Sequence, residues 1–485
     1  MDTVAPSPPR ASAGVFIALA LLCSVQMMLN LDDTVVNVAL PTIGRTLGIS
    51  EGGLTWIINA YLLLFGGFLL FGGRCADLFG PRRVFLIGVA VFGISSLTTG
   101  LAQNAAMIIA SRAGQGIGGA LASPAALAMV AGLFDDPKSR SRALGAWAGL
   151  GGFAATLGVV LSGLLTQYTS WRWCFLINVP VAIVALLAVP RLIPDRRPHR
   201  DAPARIDGLG AALITAAIAA LDLGLIDSGR VSGLATAVRI AAGMALVVAF
   251  VVVQQRSRVP LIPLSFFGNR DRAVANIANI GFCSANLSML FFLTLHLQQV
   301  MHYSPARTGV AWLPFCATVI AGFGLSAGLV PRFGVRVMLI AALGTGAFGM
   351  FLLAQITQTT TYPALLPGLM IAGFGMGLGF VAMTIAAVGE THTDITGLAS
   401  GLVTTTQQLG GALGLGVLGA VAIHRSTGLM ASGTPPESAL TQGFRLAFLV
   451  SALVLAIGTV FVGFGITRAA GTAVAERDPE VPMTI

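Results

Sequence analysis

Charge is what this chain has least of. Asp, Glu, Lys and Arg together make up 10% of its 485 residues, against about 25% in an ordinary soluble domain. With 55% hydrophobic residues and a mean hydropathy of +0.86, this scarcity excludes a soluble globular protein and predicts one whose surface faces lipid. Lysine is nearly absent: Lys138 stands alone among 28 basic residues, so the net charge of +9 is an arginine charge. The arginines lie in short connections between apolar runs, which points to membrane topology and not to nucleic acid. The five cysteines (Cys23, Cys75, Cys174, Cys283 and Cys316) form no C-x-x-C pair and lie mostly in apolar runs, as small core residues do. A nucleotide-binding loop G-x-x-x-x-G-K-[ST] is excluded, because Lys138 sits between Pro137 and Ser139 without the glycines. Energy for any work must then come from a gradient. Glu390, His392 and Asp394 share a short turn, but no further ligand pattern supports a metal site, so no metal or cofactor is expected.

What the chain has in abundance is long apolar runs and glycine. A run of about 20 apolar residues spans a bilayer, and fourteen such runs can be read between residues 13 and 467. The fold class expected is all-α: a polytopic membrane protein of 14 transmembrane helices, in two pseudo-symmetric six-helix halves with two inserted helices between them. The boundaries are a cytoplasmic N-terminal tail over 1–12, the first half over 13–190, a cytoplasmic linker over 191–206, the inserted pair over 207–254, the second half over 255–467 and a cytoplasmic tail over 468–485. The polar, Pro-rich start leads into a segment too long for a signal-peptide core, so the first span is read as uncleaved. Placing both termini in the cytoplasm puts most of the arginines inside. Only Arg45, Arg172, Arg230, Arg307, Arg425 and Arg445 fall in outer connections, while Arg112 and Arg239 fall within spans. The connection over 389–396 carries Glu390 and Asp394 but no arginine, and departs from that rule. The 60 glycines suit close helix packing in lipid.

The halves echo one another weakly. Asp77-Leu78-Phe79-Gly80-Pro81-Arg82 has an outline counterpart in Pro331-Arg332-Phe333-Gly334-Val335-Arg336, each between the second and third span of its set. Gly116-Ile117-Gly118 has a counterpart in the run from Gly373 to Gly377, each in a fourth span. Related halves with a path between them near the midplane are the plan of many secondary transporters.

The most expensive stretch is 31–41, in the first apolar run, with Asp32 and Asp33 adjacent. A charge deep in hydrocarbon costs about 2.5–3.5 kcal/mol even on lenient scales, so an acid kept there faces protein or a water-filled path and is suited to exchanging a proton. Neighbours on a helix point about 100° apart, so one acid at most faces a given cavity. The alternative reading is that both acids sit high enough to be solvated at the outer rim.

Several ordered motifs resemble one family. Gly73-Arg74-Cys75-Ala76-Asp77-Leu78-Phe79-Gly80-Pro81-Arg82-Arg83 is similar to the loop signature of the major facilitator superfamily. Asp32-Asp33-Thr34 through Pro41, Trp56 with Tyr61, and Trp171-Arg172-Trp173 through Asn178-Val179-Pro180 resemble its fourteen-span branch, the drug:proton antiporters of multidrug efflux and antibiotic resistance. The resemblance implies a secondary transporter in a bacterial inner membrane, not an enzyme, that exports lipophilic small molecules in exchange for protons by alternating access. It implies proton coupling by Asp32, which matches the acid of the family's Asp-x-Thr pattern, and by Arg112, which matches the fourth-span motif. Gly73, Asp77, Gly80, Arg82 and Arg83 would form a gating loop, with a bare turn-fixing signal as the alternative. Asn37, Gln115, Asn276, Asn279 and Gln407 are candidates for lining the substrate path. At about 10 Å depth by helical rise, Arg112 and Asp32 are expected to approach one another or share waters. The expected partners are the substrate, protons and the bilayer, with no nucleic acid and a monomeric protein.

The fifth span departs from that family. A Gly-Pro-x-x-Gly-Gly core is expected, but the chain reads Gly158-Val159-Val160-Leu161-Ser162-Gly163. This keeps open a gradient-independent uniporter or metabolite importer, and beyond it a non-transporting receptor or scaffold. Asp222 is read as sitting on a solvated outer rim, and His296 as a satisfied interior histidine.

Overall fold

A computed structural model describes residues 13–134, 136–195, 207–226, 233–257, 260–261, 264–388 and 396–466. The expected tails over 1–12 and 468–485, most of the linker, and the Glu390, His392 and Asp394 turn lie outside the described residues.

Helices account for nearly all of it. In the first half these are α1 (Ala13–Leu47), α2 (Glu51–Phe79), α3 (Pro81–Gly100), α4 (Ala105–Gly132), α5 (Pro137–Tyr168), α6 (Trp173–Leu176) and α7 (Asn178–Leu192). Then come α8 (Gly208–Ile226) and α9 (Gly233–Arg256), and the second half holds α10 (Arg270–Leu295), α11 (Pro305–Ala311), α12 (Leu313–Leu353), α13 (Tyr362–Val388), α14 (Thr396–Ala431) and α15 (Pro436–Gly465). Twelve helical segments among the described residues are long and apolar enough to cross a membrane. Of the remaining long helices, α4 carries Arg112 and Gln115 and falls short on that measure, and α5 contributes the shorter apolar stretch Leu157–Tyr168 among the described residues. The sixth apolar run comprises α6 and α7, which continue one another through Ile177, itself in helical backbone conformation (φ -61°, ψ -23°).

Helix starts follow local chemistry. Pro81, Pro137, Pro305 and Pro436 open α3, α5, α11 and α15, where no partner for a backbone N–H is needed. Asn104 and Asp136 cap α4 and α5 by accepting from the backbone N–H of Met107 and Ser139, both at 2.8 Å.

The internal repeat is present in the backbone. Gly80 (φ 92°) turns the chain from α2 into α3, and Gly334 (φ 79°) makes the same turn inside α12, which is therefore two crossings joined at a kink. Both take a left-handed backbone that side chains with a Cβ rarely adopt. The fourth spans repeat the same packing. A Cβ on Gly116 would stand 2.6 Å from the Tyr61 carbonyl oxygen of α2, and one on Gly118 2.5 Å from the Phe92 nitrogen of α3. Across in α13, a Cβ on Gly373 would stand 2.8 Å from the Phe315 carbonyl oxygen, and one on Gly375 2.7 Å from the Gly346 nitrogen. Tyr61 and Phe315, Phe92 and Gly346, and Gly80 and Gly334 are each 254 positions apart. The fourth-span glycines are offset by 257. Without side chains at these positions, helices approach backbone to backbone, which is how association is strengthened in lipid.

The halves also meet at the end of the bundle opposite the Gly80 and Gly334 turns. There Gly163 of α5 lies against Pro305 and Gly309, Ala306 donates its N–H to Gln167 at 3.1 Å, and Gln298 donates to the Val38 carbonyl at 2.9 Å. The inserted helix α8 packs on α9 and on one helix from each half, α2 and α14.

Candidate functional site

Asp32 lies in the middle third of α1 and is fully buried, facing α4 and α7 inside the first half. Its two oxygens collect donors from those helices. Gln115 Nε2 and Asn178 Nδ2 donate to Oδ1, both at 2.8 Å, and Arg112 Nη1 makes a short contact with Oδ2. Arg112 is itself wholly buried. Its Nε donates to the Ile57 carbonyl of α2 at 3.1 Å, and its Cζ lies 4.3 Å from the centre of the Tyr61 ring, a cation–π distance. Gln115 is braced by Ser96 of α3 at 2.8 Å and lies 3.0 Å from Arg112 Nη1. Five helices of the first half thus converge on one carboxylate. The helical spacing of Arg112 and Gln115, three residues apart, puts both on one face of α4.

What this can do follows from counting lone pairs. Oδ1 accepts two hydrogen bonds and is filled; Oδ2 accepts one from Arg112 and keeps one lone pair. A proton arriving at Oδ2 neutralises the acid and weakens its hold on the guanidinium. Arg112 Nη2 has no hydrogen-bond partner of its own. Proton and guanidinium therefore compete for one oxygen, and a buried ion pair stripped of one charge is strongly destabilised, by about 3–5 kcal/mol.

The other expected residues are placed as follows. Asp33 is partly exposed, and its carboxylate makes no hydrogen bond or ion pair with this network. Asn37 is buried; its Nδ2 donates to its own helix at Asp33, and its Oδ1 has no partner. Ser162, where the family pattern has glycine, makes a short hydrogen bond to the Val35 carbonyl, so the altered fifth span is tied directly to α1. In the loop expected to gate, Asp77 is exposed and makes no ion pair among the described residues. Arg83 pairs with Asp195, 3.0 Å away at the start of the linker after α7, and not with Asp77. In the second half Asn279 donates to Thr406 at 2.9 Å and to the Val403 carbonyl, stitching α10 to α14. Asn276 donates within its own helix, and Gln407 is half-buried.

Two expectations are overturned. Asp222 is not on a solvated rim but fully buried, because α8 turns that face towards α2 and α14. His296 is interior but not satisfied: neither ring nitrogen has a hydrogen-bond partner, and it lies edge-on to Phe444. Sequence reasoning also missed Ser96 and Asn178. Asn178 was visible inside the Trp171–Pro180 motif but carried no assigned role, and Ser96 offers no sequence signal at all.

The family description Major Facilitator Superfamily matches residues 22–415. The chain belongs to that superfamily. It is a multi-pass membrane transporter by family, not an enzyme. It is 36% identical to the puromycin resistance protein pur8 of Streptomyces alboniger, over 92% of this chain and 90% of that protein. It is also 36% identical to the cephamycin export protein CmcT of Amycolatopsis lactamdurans, over 88% of each. Among solved structures, a bacterial homologue of the human lysosomal transporter Spinster, in an inward-facing and unoccupied conformation, shares the fold. Its TM-score is 0.66 at 16% identity, covering 95% of this chain and 98% of that one.

Proposed function

We propose that this superfamily member exports antibiotic-like, lipophilic molecules from the cell in exchange for protons, with Asp32 as the proton carrier and Arg112 as the group that answers its protonation. One observation carries this reading: a wholly buried carboxylate whose single open lone pair lies beside a buried guanidinium. The named activities of pur8 and CmcT, resistance to one antibiotic and export of another, support the substrate class. On this reading the protein is a monomer in a bacterial inner membrane with both termini inside. It crosses the membrane fourteen times, α4 and α5 being added to the twelve apolar segments. The Gly80 and Gly334 turns then face the cytoplasm, and the contacts among Gly163, Gln167, Gln298 and the α11 region close the outer side. Asp77, without an ion pair among the described residues, is in the condition of a released latch.

The test is efflux of a lipophilic cationic dye from everted vesicles with an imposed pH gradient, comparing wild type with Asp32→Asn. Gradient-driven transport is expected in the wild type and lost in the variant; equal transport by both removes Asp32 from the mechanism. A second reading, a gradient-independent uniporter, is favoured by one feature: α5 runs unbroken through Val159, where antiporters carry a proline. Dye movement that persists after the proton gradient is collapsed would select it.

A further inference from the structure

The first half holds one buried carboxylate that the mechanism uses. The inserted helix α8 holds another that it does not. Asp222 is fully buried where α8 meets α2 and α14. Asn59 of α2 donates its Nδ2 to Asp222 Oδ2 at 2.9 Å and to the Ala412 carbonyl of α14 at 3.2 Å, so one amide ties α8 to both halves. A Cβ on Gly416 of α14 would stand 2.3 Å from Asp222 Oδ1, so a glycine is needed there to seat the acid. Two oxygens at this junction have no hydrogen-bond donor: Asp222 Oδ1 and Asn59 Oδ1.

Among the described residues no opposite charge pairs with Asp222. From α2 the facing group is Asn59, which is neutral. From α14 they are Gly416 and the Ala412 carbonyl. From α9 the charged group is Arg239, which donates to the Leu223 carbonyl of α8 at 3.3 Å, on the exposed side. Asp222 is the only titratable residue within α8 itself. A buried charge without an opposite partner is among the most expensive arrangements in a protein, and more so at membrane depth. A neutral carboxyl removes that charge and turns an orphaned acceptor into a donor.

We propose that Asp222 is a second proton-binding carboxyl, lodged at the joint between the inserted pair and the two halves. Its partner Asn59 lies on the same short segment of α2 as Ile57 and Tyr61, which hold Arg112. The two acids therefore stand on either side of one helix. A proton on Asp222 frees the junction of a buried charge, and a proton lost from it puts that charge between α2 and α14, whose packing must change for the halves to rock. In transport, this rests on the exchange proposed above, and the second carboxyl would add a proton to the cycle.

The test does not need transport. Infrared difference spectra of the purified protein in liposomes, taken between about pH 6 and about pH 9, follow the carbonyl stretch of protonated carboxyl groups. Wild type, Asp32→Asn, Asp222→Asn and Asp222→Glu are compared, each first shown to be monodisperse. The expected result is a titrating band that survives Asp32→Asn, disappears in Asp222→Asn and returns at a shifted frequency in Asp222→Glu. Identical wild-type and Asp222→Asn difference spectra would overturn the proposal. A band that responds to sodium ion and not to pH would overturn it equally, in favour of a metal-cation site. Because Asp32→Asn efflux reports on the exchange reading and these spectra report on Asp222, either can fail alone.

Discussion

The two halves share a backbone and not a chemistry. The glycine contacts fix which residues correspond: 254 positions apart in the second and third spans, and 257 in the fourth. At those offsets Arg112 becomes Leu369, Gln115 becomes Ala372, Ser96 becomes Met350, and Thr99, whose hydroxyl donates to Gln115 Oε1 at 3.4 Å, becomes Leu353. All four replacements are buried and apolar. The second half thus shows what the same architecture looks like when its fourth span carries no charge to hold. Close packing of α13 on both crossings of α12 proceeds without an ion pair among the described residues, so this architecture does not by itself demand one. A buried ion pair is often neutral or unfavourable against a well-packed apolar alternative, and its presence in one half alone is a reason to look for its use in transport.

The sharpest way to break this comparison is to make the first half resemble the second. Arg112→Leu alone leaves Asp32 charged and unpaired, and about 3–5 kcal/mol of stability should be lost. Adding Asp32→Asn removes the stranded charge and should restore most of it, leaving a double variant near wild-type melting temperature. Transport should be absent from both. Scanning fluorimetry in detergent beside dye efflux measures the two properties separately. A double variant as unstable as Arg112→Leu would mean the network is structural after all.

A smaller effect should be equal in the two halves. Gly118→Ala and Gly375→Ala each force a Cβ to within 2.5 and 2.7 Å of a backbone nitrogen on the neighbouring crossing. Overpacking of that kind costs about 1–3 kcal/mol, so the two variants should melt within error of one another and below wild type. If only Gly118→Ala were destabilising, the correspondence between the halves would be superficial.

These contrasts also show what the sequence could reveal. The turn repeat was readable because positive φ demands glycine, and Gly80 and Gly334 both carry it. The meeting of Asp32 with Arg112 was readable because depth along a helix can be counted at about 1.5 Å per residue. Depth says nothing about which way a helix faces. That is why Asp222, four residues from the end of α8, looked like a rim residue and lies instead against Asn59 and Gly416. Counting residues also could not reveal Ser96, whose role depends wholly on the way Gly118 lets α3 close on α4.

The smallest effect expected lies at the turn itself, where the halves differ in what an arginine does. Arg82 and Arg336 correspond by the same offset of 254. Arg336 Nη2 makes a short contact with the Gly463 carbonyl near the end of α15, where carbonyls have no partner within the helix. Its neighbour Arg270 donates to the Phe464 carbonyl at 2.9 Å, so two cations meet the negative end of one helix. Such contacts contribute about 0.3–1 kcal/mol each. On the other side the ion pair of Arg83 with Asp195 is largely in solvent, with side-chain exposures of 70% and 37%, and pairs of that kind contribute about 0–1 kcal/mol, less at high salt. Arg336→Ala should therefore lower the melting temperature slightly at both low and high salt, because its hydrogen bond to the Gly463 carbonyl is part-buried, whereas Arg83→Ala should leave it unchanged in high salt. The order of the two, measured by the same scan at low and high ionic strength, tests whether the second half uses its loop to fasten a helix while the first keeps its loop free to move.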